Sequence, residues 1–284
     1  MIKYRGGKAR EIPEILPFVP AHYERYVEPF LGGGALYFCL APRNALINDL
    51  NGRLMGFYRG VRDRYPALAG ELASLEKRYA ANLRAFDEAK VRAPDEKVHD
   101  PNEELYYRIR EMFNGKREAA YSEAAIYYYL NRTAYSGMIR YNSSGEYNVP
   151  YGRYRNFSAQ PVSPAHSALL GQAELCSTDY ELVFGQCGPR DFVFLDPPYD
   201  CVFSDYGNET TKDGFDEGEH RRLREAFYRL PCKALMVIGK TELTYGLYRD
   251  SVIHEYEKSY AVNIRNRFKS RGRHLLVANY RAPA

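Results

Sequence analysis

Seven short apolar runs punctuate the chain, at 25–30, 45–49, 173–178, 191–196, 234–239, 251–262 and 274–280. Several are continuous rather than alternating, as in Phe192-Val193-Phe194-Leu195. Continuous apolar runs of this length suit strands of a parallel sheet covered on both faces, so the pattern predicts an α/β sandwich. The last two runs are separated by about a dozen residues without helical periodicity, which predicts an antiparallel hairpin at the sheet edge.

More than a hundred residues separate the second and third runs, too many for an ordinary connection inside a sheet. Their periodicity is different. Leu68, Leu72, Leu75 and Tyr79 recur at helical spacing, as do Leu105, Ile109, Met112 and Phe113. Asp100-Pro101-Asn102-Glu103 offers an N-cap, a first-turn proline and a capping-box acid for the second helix. An inserted helical domain is expected, ending in Asn142-Ser143-Ser144-Gly145-Glu146-Tyr147, a turn signal that predicts a hairpin or long loop. Further on, Asp216-Glu217-Gly218-Glu219 marks the start of a helix running to Leu230.

Composition narrows the class. A chain of 284 residues, 45% hydrophobic and 27% charged, is long enough for a large core domain carrying an insertion. It contains no apolar run of membrane-spanning length and no signal-peptide pattern at its start, so a cytoplasmic protein is expected. Five scattered cysteines and six dispersed histidines show neither disulfide nor metal-site spacing, so no metal is expected. The net charge of +4 is compatible with a polyanionic partner without requiring one. The 27 tyrosines, beside no tryptophan, include enough amphipathic rings for base stacking as well as core packing.

The sharpest chemical signal is Asp196-Pro197-Pro198-Tyr199, directly after the fourth apolar run. A given four-residue string arises by chance on the order of once in hundreds of chains, and ligands of open α/β sheets bind beyond the carboxyl ends of strands, where this one lies. The Asp196 carboxylate and the Pro197 carbonyl can each accept one hydrogen of an aromatic amine such as that of adenine. Proline rigidity fixes that carbonyl, and the Tyr199 ring can stack on a base turned out of a duplex.

A second signal is Glu28-Pro29-Phe30-Leu31-Gly32-Gly33-Gly34, where a strand enters a glycine turn before an apolar helix. Phe30, Gly32 and Gly34 are candidates for close approach to a ligand. Asp49, about twenty residues on at the end of the next strand, is placed to bind ribose hydroxyls. Nothing marks a pyrophosphate site, so an adenosyl ligand without phosphates fits better than a dinucleotide. Asp179, just past the third strand, can meet the adenine amine of that ligand or serve simply as a turn residue. Tyr4-Arg5-Gly6-Gly7-Lys8 combines an aromatic, a glycine turn and a cation that can cover a carboxylate.

Two basic stretches remain. The segment from Asn131 to Tyr141 mixes Arg132 and Arg140 with Tyr135, Ser136 and Met138, a blend suited to phosphate contact, base reading and wedging. Arg265, Arg267, Lys269, Arg271 and Arg273 lie in the last hairpin, as a phosphate rail or a solvated turn.

In order and number these segments resemble the Dam-type (class alpha, D12) DNA adenine N6-methyltransferases. The resemblance covers nearly the whole chain and adds Asn48-Asp49, Tyr129-Leu130-Asn131-Arg132, Arg140-Tyr141-Asn142 and Gly145-Glu146-Tyr147-Asn148-Val149-Pro150-Tyr151-Gly152. It implies a Rossmann-like seven-stranded sheet with an inserted helical and β-hairpin target-recognition domain. The catalytic domain would take 1–53 and 153–284, and recognition 54–152, with the DNA-reading hairpin at about 131–152. It further implies that Tyr4, Lys8, Asp49 and Asp196 bind S-adenosylmethionine and that Asp196 to Tyr199 hold a flipped adenine.

Within the recognition segment, Arg140 matches the arginine that reads a guanine before the target adenine, Tyr135 and Met138 match wedging positions, and Pro150 lies near a thymine methyl. Asn131, Arg132, Ser136 and Asn148 complete the expected DNA-contacting set. GATC is the first site implied. Tyr4 stands where tryptophan is commoner, Met138 where leucine is usual and Ser136 where asparagine is usual. Duplex DNA is the expected partner, met by a monomer or by a dimer formed on DNA. An RNA or cytosine-N4 methyltransferase and a catalytically inactive nucleic-acid-binding module remain as alternatives.

Overall fold

All seven apolar runs become strands: β1 (Arg25–Glu28), β2 (Ala45–Asn48), β3 (Ala173–Cys176), β4 (Asp191–Leu195), β5 (Lys233–Gly239), β6 (Val252–Ser259) and β7 (Arg271–Ala278). The computed structural model describes residues 1–4, 6–199, 215–259 and 271–281, with the side chains of Ser259 and Arg271 excepted. The strands form one sheet in the order β3-β2-β1-β4-β5-β7-β6. Pairings among β1 to β5 are parallel, and β7 runs antiparallel to both β5 and β6. This is a Rossmann-like seven-stranded sheet, with the expected hairpin at one edge.

At the carboxyl ends the strands stop sooner than their composition suggests. β1 ends at Glu28 because Pro29 has no N–H to continue the ladder. β2 and β4 end one residue early, at Asn48 and Leu195, just before the aspartates Asp49 and Asp196. β7 begins at Arg271, three residues before the expected start, because Glu257, Lys258 and Ser259 of β6 pair with Arg273, Gly272 and Arg271.

In chain order the helices are α1 (Ile12–Ile15), α2 (Ala35–Leu40), α3 (Gly52–Arg92), α4 (Pro101–Phe113), α5 (Glu123–Thr133), α6 (Pro164–Leu170), α7 (Tyr180–Phe184), α8 (Glu217–Arg229) and α9 (Glu242–Tyr248). The chain divides into two compact units, Met1–Gly7 with Gly52–Gly171, and Lys8–Asn51 with Gln172–Ala284.

In the sheet unit, Val27, Leu46, Val193, Leu195, Met236 and Ile238 pack with Leu223 and Phe227 of α8 and with Leu275 and Val277 of β7. Every residue of β2 and β4 is buried, as strands covered on both faces require. α8 starts where its capping signal lies, with the Asp216 side chain accepting the Glu219 N–H. It buries His220, Leu223, Ala226 and Phe227, a single helical face. Each large apolar side chain so buried contributes about 2 kcal/mol.

The helical unit is built on α3, which bends at Arg64, two residues before Pro66. Pro66 cannot donate to the Arg62 carbonyl four residues back, and that carbonyl instead accepts the Ser167 hydroxyl at 3.2 Å. Leu68, Leu72, Leu75 and Tyr79 are buried, as their spacing predicts. Near Gly60 the backbone of α3 approaches α5 so closely that a Cβ would lie 2.5 Å from the Ala124 Cβ. In α4, Leu105 and Ile109 are buried while Met112 and Phe113 are half-buried. Asp100 caps that helix through the Asn102 N–H, but Glu103, expected to complete a capping box, reaches Arg153 at 3.3 Å.

Candidate active site and nucleic-acid-reading loop

The direction of strand order reverses between β1 and β4, which lie side by side with Val27 opposite Val193. The carboxyl ends of such a pair open a crevice, the usual ligand site of an open α/β sheet. The glycine turn leaves β1 here and the Asp196-Pro197-Pro198-Tyr199 turn leaves β4. Tertiary pairing thus brings together two motifs more than 160 residues apart in the chain.

Gly32 and Gly34 both have positive φ, +48° and +64°, a region that side-chain-bearing residues rarely enter. The Gly34 N–H bonds the Leu31 carbonyl at 2.7 Å, and the Gly32 N–H donates to Asp49 Oδ2 at 2.8 Å. Asp49 Oδ1 accepts the Asn51 N–H at 2.9 Å. Burial raises the Asp49 carboxyl above its ordinary range, opposed by those two backbone donors. Asn48, which no motif singles out as a site residue, stitches three strand ends together. Its Nδ2 donates to the carbonyls of Pro29 and Thr178 at 2.9 and 3.0 Å, and its Oδ1 accepts the Thr178 N–H at 2.9 Å. A buried amide at the tip of an otherwise apolar strand was the available signal.

Asp196 is held by Lys8, whose Nζ lies 2.7 Å from Oδ2 and 2.6 Å from Oδ1. Lys8 is only 3% exposed, and the Asp196 side chain 22%. The Tyr199 hydroxyl donates to Asp196 Oδ1 at 3.2 Å, and the Lys8 ammonium stands 4.9 Å from the Tyr199 ring centre. Pro197 is buried; Pro198 and Tyr199 are half-buried. Lys8, expected beside a ligand carboxylate, therefore holds the carboxylate of the protein itself. Beneath the turn, Glu28 is buried and accepts the Tyr26 hydroxyl at 2.7 Å. Burial raises its carboxyl well above the ordinary range, and the nearby charges of Asp196 and Asp49 add to the shift.

Phe30 packs against Tyr180, 5.3 Å between ring centres, and edge-on to Phe215. Asp179 caps α7 through the Glu181 N–H and pairs with Arg222 at 2.5 Å. The turn-residue reading of Asp179 is thus part of its role, joined by an ion pair the sequence did not signal. Tyr4 lies in the other unit, where its carbonyl accepts the Gly7 N–H at 3.1 Å.

In the helical unit, α5 extends through Thr133, so Asn131 and Arg132 are helical and the expected hairpin starts later. The chain then forms a loop joined by two isolated antiparallel bridges, Ala134 with Tyr151 and Tyr141 with Tyr147. Side chains organise it. The side-chain oxygen of Asn142 accepts the N–H groups of Ser144 and Glu146 at 3.0 and 2.9 Å, closing the turn that carries Gly145 at φ +74°. Asn114 bonds both backbone groups of Tyr147, and the Tyr106 hydroxyl donates to the Val149 carbonyl at 2.8 Å. Tyr147, Val149 and Tyr151 are buried in alternation with Asn148 and Pro150, which point outward.

Tyr135, Ser136, Arg140 and Pro150 are exposed on this loop; Arg132, Met138 and Asn148 are half-buried. Ser136 sits at φ +54°. Asn148 Oδ1 accepts Arg140 Nε at 2.8 Å. Asn131 is buried and exchanges bonds with the Lys3 backbone at 2.8 and 2.7 Å, making it a clamp within the unit. Arg265, Arg267 and Lys269 lie outside the described residues, as does the Arg271 side chain; Arg273 pairs with Glu255 at 3.0 Å. Among the described residues, no group of three or more His, Cys, Asp or Glu is arranged to hold a metal, and no helix is long and apolar enough to cross a membrane.

Residues 4–262 match the family of D12 class N6 adenine-specific DNA methyltransferases. The chain is 32% identical to a type II methyltransferase, M.CviBI, of Paramecium bursaria Chlorella virus NC1A, over 99% of both sequences. It is 30% identical to the type II methyltransferase M1.LlaDCHI of Lactococcus lactis subsp. cremoris, covering 98% of this chain and 94% of that one. The DNA adenine methylase of Escherichia coli K12 is 30% identical over 70% of this chain and 64% of its own length.

Proposed function

The chain belongs to the D12 class of N6 adenine-specific DNA methyltransferases, and from that premise we propose that it methylates adenine in duplex GATC, using S-adenosylmethionine, on a base turned out of the helix. The observation that carries this reading is the Asp196 carboxylate at the sheet's switch point, held on both oxygens by a buried lysine.

Asp196 offers about four acceptor sites. Lys8 occupies one on each oxygen and the Tyr199 hydroxyl a second on Oδ1, which leaves Oδ2 able to accept one amine hydrogen. The Pro197 carbonyl accepts the other. Two acceptors draw electron density toward the amine nitrogen and fix its lone pair in one direction. Taking the base out of the stack is required because pairing hides that amine.

The glycine turn fits an adenosyl ligand better than a pyrophosphate, since the Gly32 and Gly34 N–H groups are already given to Asp49 and Leu31. Phe30, Gly32, Gly34, Asp49 and Asp179 would hold the adenosine part, with Tyr4 and Lys8 toward the methionine end. S-adenosylmethionine supplies an electrophilic methyl group for direct in-line transfer. We assign recognition to 54–152 and catalysis to 1–53 and 153–284. Arg140 reads guanine with the bidentate geometry of its guanidinium, Tyr135 and Met138 wedge, and Pro150 meets a thymine methyl. Arg265, Arg267 and Lys269 form a phosphate rail, and Arg132, Ser136 and Asn148 complete the DNA-contacting set.

The test is incubation with radiolabelled S-adenosylmethionine and matched duplexes carrying or lacking a single GATC, followed by digestion to nucleosides. Label in N6-methyladenine from the GATC duplex alone is the expected result. Equal label in both duplexes would remove the GATC assignment, and label in N4-methylcytosine would remove the substrate assignment.

A further inference from the structure

Behind the Asp196-Pro197-Pro198-Tyr199 turn lies a buried polar cluster that the proposed transfer does not use. Glu11 is 5% exposed and His274, on β7, is fully buried. Glu11 Oε2 accepts the Tyr256 hydroxyl at 2.6 Å and faces His274 Nδ1 at 2.6 Å; Glu11 Oε1 pairs with Lys258. Three donors from β6 and β7 therefore converge on one carboxylate that precedes β1 in the chain.

His274 meets Tyr199 directly. Their rings are 5.0 Å apart at 81°, an edge-to-face contact. On β5, Gly239 pairs with His274, and a Cβ at Gly239 would lie 3.4 Å from Tyr199 Cδ2. The Tyr199 ring thus rests over a glycine, against an imidazole wall, with its hydroxyl on Asp196. The wall is itself fixed, because an ionised Glu11 only accepts and His274 Nδ1 must then carry the proton. Burial pushes the Glu11 carboxyl up, but the bonds from His274, Lys258 and Tyr256 and the charge of Lys8 outweigh it and hold it at about 2.

We propose that Glu11 and His274 are positioning residues for this methyltransferase: Glu11 locks the imidazole, and the imidazole sets the plane of the Tyr199 ring before substrate arrives. The catalytic consequence rests on the reading of Asp196 to Tyr199 as the adenine-holding turn. The positioning itself does not.

The test places 3-fluorotyrosine at position 199 of the full chain and compares wild type with His274→Ala, His274→Phe and Glu11→Gln. His274→Ala is expected to shift or broaden the fluorine resonance in the free protein. It should also lower kcat by about tenfold to a hundredfold, the scale of a misplaced reacting group, with KM for S-adenosylmethionine within about threefold. His274→Phe, which keeps the ring edge, is expected to restore the resonance and most of kcat. Glu11→Gln, the milder change should His274→Ala fail to fold, is expected to move the resonance in the same direction as His274→Ala by a smaller amount. An unmoved resonance in both His274→Ala and Glu11→Gln would overturn the positioning role, and a moved resonance with kcat unchanged would overturn its catalytic consequence. Full kcat in Tyr199→Ala would instead remove the adenine-holding role of the tyrosine, while the resonance still decides whether Glu11 and His274 orient it.

Discussion

In the sheet unit, Asp196 leaves a strand buried on both faces and is gripped on both oxygens by a lysine 3% exposed. In the helical unit, Arg140 stands exposed on a loop joined by two isolated bridges, and its guanidinium is braced by the side chain of the half-buried Asn148. Both arrangements orient a charged group, but at different strengths. A hydrogen-bonded ion pair in a water-poor pocket is stiff, whereas a surface bond exchanges readily with water. The group proposed to carry the chemistry is preorganised; the group proposed to read the bases is free to re-form its contacts on the edges it meets.

The largest effect should come from Asp196→Ala, which removes the acceptor proposed to act on the reacting amine. Single-turnover transfer is expected to fall by about a thousandfold or more, with an unchanged circular dichroism spectrum. Full activity in that variant would remove the role proposed for Asp196 in transfer.

Lys8→Met should be next. The carboxylate then loses its buried partner, and because Asp196 retains some solvent access the loss of stability should be about 2 kcal/mol, below the 3–5 kcal/mol of a fully buried pair. Transfer is expected to fall about a hundredfold. A melting curve superimposable on wild type would mean that the pair contributes nothing to stability.

Changes in the loop should be smaller and of another kind. Arg140→Ala is expected to cost about 1–3 kcal/mol of discrimination at the guanine before the target adenine, measured as the ratio of kcat/KM on matched and substituted duplexes. Asn148→Ala should lose about half as much, since Arg140 keeps its contacts and loses only its brace. An Asn148→Ala enzyme with undiminished discrimination would show that the brace is incidental.

The smallest effect on transfer is read as a pH dependence of stability. Glu11 faces Tyr256, Lys258, His274 and Lys8, and its carboxyl is held at about 2 against an ordinary 4.5. Its folded-state value is depressed, so its contribution is fully present above about pH 4.5 and is lost as pH falls toward 2. His274, pushed down by burial, acts in the same direction at higher pH, because the unfolded chain takes up its proton first. Melting temperatures from pH 7 to 3 should fall more steeply for wild type than for Glu11→Gln; parallel curves would argue against this account.

Element by element, the strands and the long helices were legible because burial on two faces or on one leaves a period in the chain: β4 reads as a continuous apolar run and α3 as a stripe of Leu68, Leu72, Leu75 and Tyr79. The ends of elements were less legible. Pro29 stops β1 where composition would have continued it, and the 134–152 loop takes its shape from Asn114, Asn142 and Tyr106, polar side chains with no period to betray them.

The sequence by itself determined the fold class, the family and the two turns that carry acceptors and glycines, because each is a local pattern: a run, a spacing or a four-residue string. Only the tertiary structure decided what those groups touch. Lys8 meets Asp196, Arg222 meets Asp179, and Glu11 meets His274 across separations of 188, 43 and 263 residues. Single charged residues leave no periodic trace of their partners, and it is the strand order, reversing between β1 and β4, that chooses which of them become neighbours.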